Sequence, residues 1–372
     1  MTSSLLQITK DLIACPSVTP LEAGTFSVLE ELLVSLGFKI EKQKNGDVTN
    51  FYARYGNGSP HLTFVGHVDV VPPGFGWDQV PFEPTIKEGV LYGRGAVDMK
   101  GAIAAFVWAA KGFLDSTSTF SGSISLLLTS DEEGPGQDGI KGMTPWLQET
   151  EQVPDFFLIG EPTSENKVGD TVKIGRRGSL NTVLTVKGRQ GHVAYPESTD
   201  NPCTTLIKIL RKLTKQDLDQ GYENFPASNL EIVGLDTPTK VTNVVPENAQ
   251  AYINIRFNPH HTGKKLSRWI EDICKKHAKN YETQYHFSAE PFESLKSPLH
   301  FVLYESIREI CGDLPRNAPT GGTSDGRFLH HLAPLAEVGL LNATAHQANE
   351  CVGLIDLETL CKIYNVFLNR FF

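Results

Sequence analysis

Apolar residues near the start of the chain recur at helical spacing over 4–14 and 25–37, and segments 39–44 and 50–56 read as extended. A regular alternation then begins. A short apolar strand from Leu62 to Gly66 runs into a Pro/Gly-rich loop, and an Ala-rich helix covers Gly101 to Leu114. Next come a strand from Ile124 to Thr129, a helix over 140–149 and a strand from Phe156 to Ile159. Strands and helices in alternation predict βαβ units around a largely parallel sheet buried on both faces. Beyond about residue 178 the order becomes strand (181–187), helix (203–216), strand (228–235), strand (249–257), helix (263–278), strand (281–287). That βαββαβ order predicts a ferredoxin-like sandwich. It spans 178–290 and interrupts a first domain built from 1–177 and 291–372, whose second part carries a helix (299–311), a strand (334–341) and a closing helix (356–370). No internal repeat or low-complexity tract occurs.

With 372 residues the chain is long enough to bury a core without disulfides or structural metals, so a metal here would serve chemistry. Lys plus Arg number 34 against 43 Asp plus Glu, and the net charge of −9 argues against a nucleic-acid or anionic-membrane partner. An anionic substrate would need a few local arginines. Six dispersed cysteines without a C-x-x-C pair suit reduced thiols, and no long apolar run marks a signal or a membrane span, so a soluble, cytoplasmic protein is expected.

The chemistry-bearing residues recur at strand ends. His67, Asp98, Glu133 and Glu161 each follow a strand or lie in the loop after one, about one βα unit apart. That places them at the carboxyl edge of the sheet, where open α/β folds put their sites. A lone loop acid is usually just solvated, but the local context here is more specific. His67-Val68-Asp69 puts an acid two residues from an imidazole, on the same face of an extended segment, so the Asp69 carboxylate is expected to fix the tautomer. Asp98 sits in the glycine-punctuated run Gly93–Gly101. Asp131-Glu132-Glu133 sets three acids side by side, a repulsive arrangement that cations relieve. With Glu161 and His346, two histidines and three carboxylates suit two zinc-like ions sharing one carboxylate.

The blocks GHVDVVPPG (66–74), LYGRGAVDMKG (91–101), TSDEEGP (129–135) and IGEPTS (159–164) resemble the M20 dizinc amidohydrolases, the aminoacylase and carboxypeptidase group. GDTVKIGRRGSL (169–180), VKGRQGHVAYP (186–196), GGTSDGRF (321–328) and LNATAHQANECV (341–352) are similar to the members that act on N-succinyl-L,L-diaminopimelate. The resemblance implies a zinc-peptidase-like catalytic domain with a lid that dimerises, and two Zn2+ per subunit for which Co2+ can substitute. One ion would be held by His67 and Glu161, the other by Glu133 and His346, with Asp98 bridging. Glu132 would be the general base, with Asp69 in the same catalytic group. His192 from the lid of a partner copy would stabilise the oxyanion, and the homodimer follows from that. Arg176, Arg177, Tyr195, Arg256, Thr323, Ser324 and Asn342, with Asn243 from the partner, would contact the anionic substrate. The implied activity is hydrolysis of N-succinyl-L,L-diaminopimelate to succinate and diaminopimelate on the lysine pathway. A related deacylase, such as one for N-acetylornithine, shares the metal chemistry and differs in the pocket. Val68 stands where the family pattern has Thr.

Two other motifs compete. Gly322-Thr323-Ser324-Asp325-Gly326 matches the G-x-S-x-G elbow of serine hydrolases, yet the segment before it is a poor strand. Gly134–Gly139 matches G-x-G-x-x-G, but the acids upstream would repel a pyrophosphate.

Overall fold

The computed structural model describes residues 4–117, 119–215 and 217–372. It divides into two compact units. The first runs to Ile174 and resumes over Glu293–Ala318 and Ser324–Phe372; the second comprises Gly175–Phe292 and Pro319–Thr323.

The first unit is built on six strands: β1 (Lys39–Asn45), β2 (Val48–Gly56), β3 (His61–His67), β4 (Ser123–Thr129), β5 (Phe156–Ile159) and a late strand, Leu335–Glu337. Their order across the sheet is β1-β2-β4-β3-β5 and then the late strand. β1 and β2 form an antiparallel hairpin that pairs antiparallel to β4, while β4, β3, β5 and the late strand run parallel. β3, β4 and β5 are buried along their whole length, as expected for central strands covered on both faces. β3 lies between β4 and β5, so the connections from β3 to β4 and from β4 to β5 leave in opposite directions. The carboxyl end of β3 is therefore the switch point at which such sheets bind ligands.

Helices α1 (Leu5–Ala14), α2 (Thr25–Ser35), α3 (Lys100–Ser116) and α4 (Ile140–Glu149), with a later helix, Leu299–Cys311, a short helix, Gly326–Leu329, and a closing helix, Leu354–Phe371, belong to this unit. The alanines of α3 let it sit close to its neighbours. Phe106 of α3 stacks on Phe64 of β3 at 4.3 Å between ring centres, and Tyr364 of the closing helix meets both rings edge-on at 5.8 Å. The Tyr364 hydroxyl donates to the Val338 carbonyl at 2.6 Å. The strand expected over 334–341 stops at Glu337. After Val338 the chain leaves the ladder and lays Gly339 directly on the backbone of Gly160 and Glu161, where a Cβ would fall 2.3 Å from the Glu161 carbonyl oxygen. A small sheet of Thr85–Lys87, Val90–Tyr92 and Cys351–Gly353 was not foreseen, because three-residue strands carry too little periodicity to read.

The second unit runs strand, helix, strand, strand, helix, strand: Gly178–Lys187, α5 (Pro202–Thr214), Asn229–Asp236, Asn248–Phe257, α6 (Gly263–His277) and Tyr281–Ala289, with short pairings between. The four strands form one antiparallel sheet. Alternate residues such as Leu184, Ile253 and Ile255 pack with Leu206, Ile209 and Ile270 of the two helices. Asn201 caps α5 by accepting from Cys203 and Thr204 N–H, and Thr262 caps α6 through Lys265 N–H. Residue 216, the expected end of α5, lies outside the described residues. No helix among the described residues is long and apolar enough to cross a membrane. All six cysteines are free thiols.

His61 opens β3 with its ring buried, Nε2 lying 2.9 Å from Ser125 Oγ. Burial, reinforced by Arg54, lowers its pKa to about 4. The folded chain therefore refuses a proton that the unfolded chain accepts below about 6.5, so stability falls as pH drops from 6.5 towards 4. In urea unfolding, the pH 7 to pH 4 loss should be smaller in His61→Asn than in the unsubstituted chain, by up to roughly 3 kcal/mol.

Candidate metal centre

β3 delivers His67 to the carboxyl edge of the sheet, in register with Thr129 of β4. The imidazole is held from below by a backbone group: Nδ1 donates to the Asp69 carbonyl oxygen at 2.8 Å, leaving Nε2 facing outward. This corrects one expectation. The Asp69 carboxylate stands 3.7 Å from Nδ1 and instead accepts from the N–H groups of Glu132 and Glu133, at 3.3 and 3.1 Å. Those two donors lie closer in space than the sequence neighbour, so Asp69 fastens the Glu132-Glu133 turn to the His67 loop. Val68 is fully buried, pointing away from the polar edge.

Asp98 is carried by the loop ahead of α3. Gly95, at φ +88°, takes a backbone conformation open to glycine, and a Cβ there would meet Val70 and Lys100 at 2.9 Å. The Asp98–Met99 peptide is cis. Asp98 presents Oδ1 to His67 Nε2 and Oδ2 to His346 Nε2, each at 3.1 Å. His67 Nε2 is also 3.8 Å from Glu161 Oε1, and His346 Nε2 is 2.7 Å from Glu133 Oε1. His346 holds this position with φ +62°, a strained conformation for a non-glycine residue, of a kind that collects at functional sites.

Three groups of potential ligand atoms come together within 4.8 Å: His67, Asp98 and Glu161; Asp98, Glu133 and His346; and His67, Glu132 and Glu133. The first two share Asp98, one oxygen to each histidine. Imidazole nitrogens and carboxylate oxygens crowded in this way form a donor set for a divalent cation. No lysine or arginine pairs with Asp98, Glu132 or Glu133 among the described residues. The donor set therefore fits two cations. Burial opposes protonation of His67, but the Asp98 hydrogen bond and the charges of Asp98, Glu132 and Asp69 hold its pKa well above the ordinary value. Hydrogen bonds to Asp98 and Glu133 raise His346 to about 10. Burial raises Asp98, yet bonds from the two histidines outweigh it and hold that carboxyl well below its usual range. Burial, then the Glu161 charge, push Glu132 well upward.

Asp131, the first of the three adjacent acids, is outside the cluster: it is buried and accepts from Asp138 N–H. Asp325 is a residue the sequence reading passed over. It is buried beside Glu132, its Oδ1 lacks a partner among the described residues, and burial followed by the Glu132 charge drives its carboxyl well up. Its position inside GGTSDGRF was the available signal. Ser324, expected against substrate, is fully buried and donates its hydroxyl to Glu337, which also deprives the serine-hydrolase alternative of an accessible nucleophile. Asn342 is exposed in a short 3-10 turn.

In the second unit, Gly191–His192 pairs with Val244–Val245, which brings exposed His192, Tyr195 and Asn243 together; the His192 and Tyr195 rings are 5.6 Å apart and Val193 N–H donates to the Asn243 carbonyl. Arg176 donates to the Gly322 carbonyl, and Thr323 follows in the same segment. Arg177 and Arg256 lie side by side: burial and then the Arg256 charge lower the Arg177 pKa. Their side chains bond only amides, Asn229 and Asn254, and no carboxylate pairs with either among the described residues.

Residues 63–370 match the description of peptidase family M20/M25/M40. The chain belongs to this family. A relative from Gluconacetobacter diazotrophicus, named succinyl-diaminopimelate desuccinylase, is 46% identical over 370 residues, covering 98% of this chain and 96% of that protein. Among solved structures, the M20 metallo-carboxypeptidase Sso-CP2 from Sulfolobus solfataricus aligns with a TM-score of 0.77 at 20% identity, covering 100% of this chain and 99% of that one. A Bacillus subtilis M20 protein described as a dinuclear metal-binding peptidase aligns with a TM-score of 0.70 at 14% identity over 98% of this chain and 96% of that one. The M20 fold is thus shown along the whole chain.

Hydrogen bonds to Asp98 and Glu133 raise His346 to about 10, so at pH 7.5 the metal-free chain holds a proton there that a cation must displace, and the Asp98 bond and nearby charges draw His67 in the same direction. Titrating the metal-free protein with a divalent cation, in buffers of different ionisation enthalpy, should reveal net release of protons. The release should shrink as pH approaches 10, and a proton-neutral titration at pH 7.5 would contradict the assignment.

Proposed function

We propose that this M20 chain hydrolyses the amide of N-succinyl-L,L-diaminopimelate, yielding succinate and diaminopimelate. The observation that carries the proposal is Asp98, shared between two histidine-carboxylate groups with Glu132 beside them. The 46% identity to a succinyl-diaminopimelate desuccinylase supports the choice of substrate.

In this proposal His67 and Glu161 would hold one ion, Glu133 and His346 the other, and Asp98 would serve both, with zinc as the resident metal and cobalt as a substitute. Two such ions would acidify a water molecule and polarise the amide carbonyl. Glu132 supplies the proton transfer. It takes the proton of the attacking water and returns it to the leaving amine. Asp69 keeps Glu132 oriented through the backbone of the turn. Arg177 and Arg256, two adjacent guanidiniums with no acid paired to them among the described residues, supply charge for the carboxylates of the substrate, assisted by Arg176, Tyr195, Thr323 and Asn342. His192 and Asn243 act from a second copy, so the working form is a cytoplasmic homodimer assembled through the unit that contains them.

Succinate release by purified protein should disappear on chelation and return with added zinc, and should exceed acetate release from N-acetylornithine. Glu132→Gln should keep its metal content and lose turnover by between about a hundredfold and ten-thousandfold. Retained turnover would remove Glu132 from the mechanism, and preference for the acetyl compound would remove the succinyl assignment.

A further inference from the structure

Glu350 is a fully buried carboxylate four residues beyond His346, and Arg94 is a nearly fully buried guanidinium four residues before Asp98. They pair at 2.6 Å between Arg94 Nη1 and Glu350 Oε2. The carboxylate does more than balance that charge. Oε2 also accepts from Gly95 N–H at 3.0 Å, and Oε1 accepts from Val97 and Asp98 N–H at 2.9 and 3.1 Å. The Glu350 carbonyl accepts from Gly93 N–H at 2.9 Å. Every one of these donors belongs to the loop that ends in Asp98.

Arg94 extends the connection to a third loop. Its Nη2 donates to the Pro73 carbonyl at 3.2 Å and its guanidinium sits 5.2 Å over the Trp77 ring, both on the segment that follows His67. Next to Glu350, Asn349 is in the left-handed region at φ +61° and is tied by its side chain to Asp78. The loops carrying His67, Asp98 and His346 thus meet at one buried ion pair that touches none of the three imidazole or carboxylate groups facing the centre.

We infer that the Arg94–Glu350 pair is a positioning device for the shared carboxylate: it sets where Asp98 stands between the two histidines and so governs binding of the second ion. The inference rests on the dinuclear reading above. Glu350 accepts the N–H of Asp98 itself, which fixes the start of that side chain, while its own backbone carries His346; a shift of either loop would separate Asp98 Oδ2 from His346. Outer partners of metal ligands typically change affinity by about ten- to a hundredfold.

The test uses Glu350→Gln, which keeps the shape but removes the charge and replaces one accepting oxygen by an NH2 donor, set against N–H groups that bond an oxygen in the unsubstituted chain. Zinc titration of the metal-free full chain, with the d–d spectrum of the cobalt-loaded form, reads the centre independently of turnover. The unsubstituted chain should bind two ions; Glu350→Gln should bind the first within about threefold and the second at least tenfold more weakly, with an altered cobalt spectrum and a fall in kcat at unchanged KM. Should Glu350→Gln fail to fold, Arg94→Lys carries the same measurement, since it keeps a cation on Glu350 while giving up the fork to Pro73 and the stacking on Trp77. Second-ion affinity and cobalt spectrum unchanged in the variant that folds overturn the inference and leave the dinuclear reading standing. An unsubstituted chain that binds no divalent ion overturns both.

Discussion

Four carboxylates and two imidazoles converge at one end of a buried sheet, and this concentration of like charge is the constraint the first unit is built around. Asp98 divides its two oxygens between His67 and His346, so neither histidine group is complete without it. Side chains that repel one another stay together only if the backbone holding them is rigid or a cation joins them. The chain provides the rigidity with buried carboxylates that accept backbone N–H groups: Asp69 receives the turn bearing Glu132 and Glu133, and Glu350 receives the loop bearing Asp98. Each buried acid satisfies donors that would otherwise be orphaned in a turn.

This explains why the site sits where it does. Parallel strands end together, and the central strand of the switch point places His67 at the one edge where loops from β3, β4 and β5 and from the late strand all arrive. The close-packed aromatic layer of Phe64, Phe106 and Tyr364 beneath keeps β3, α3 and the closing helix from shifting relative to one another. The strain at His346 persists because the neighbouring contacts over-determine it.

The second unit follows a different logic. Its sheet is antiparallel with one face under two helices, its strands alternate, and Arg177 and Arg256 lie together there. Alternation of this kind is easily read in a sequence, so the βαββαβ order and its strands were legible within a few residues. Arg177 and Arg256 were legible as candidates, but their adjacency was not: they lie far apart in sequence and meet only because Gly178–Lys187 pairs with Asn248–Phe257.

Period and punctuation along the chain determined the element order, the parallel core, the sandwich and the residue types of the metal centre, because each is written in local spacing: two for strands, 3.6 for helices, an acid or histidine just past a strand end. Tertiary structure alone decided which groups touch. His67 donates its hydrogen bond to the Asp69 carbonyl rather than to the carboxylate, Asp131 turns away from its two acidic neighbours, Ser324 is sealed against Glu337, and Asp325 and Glu350 become neighbours of the centre. Glu350 meets Asp98 across 252 residues, and the shorter-range contacts, over 2, 7 and 13 residues, depend on how each loop folds back. Such contacts leave no periodic trace for a linear pattern to carry.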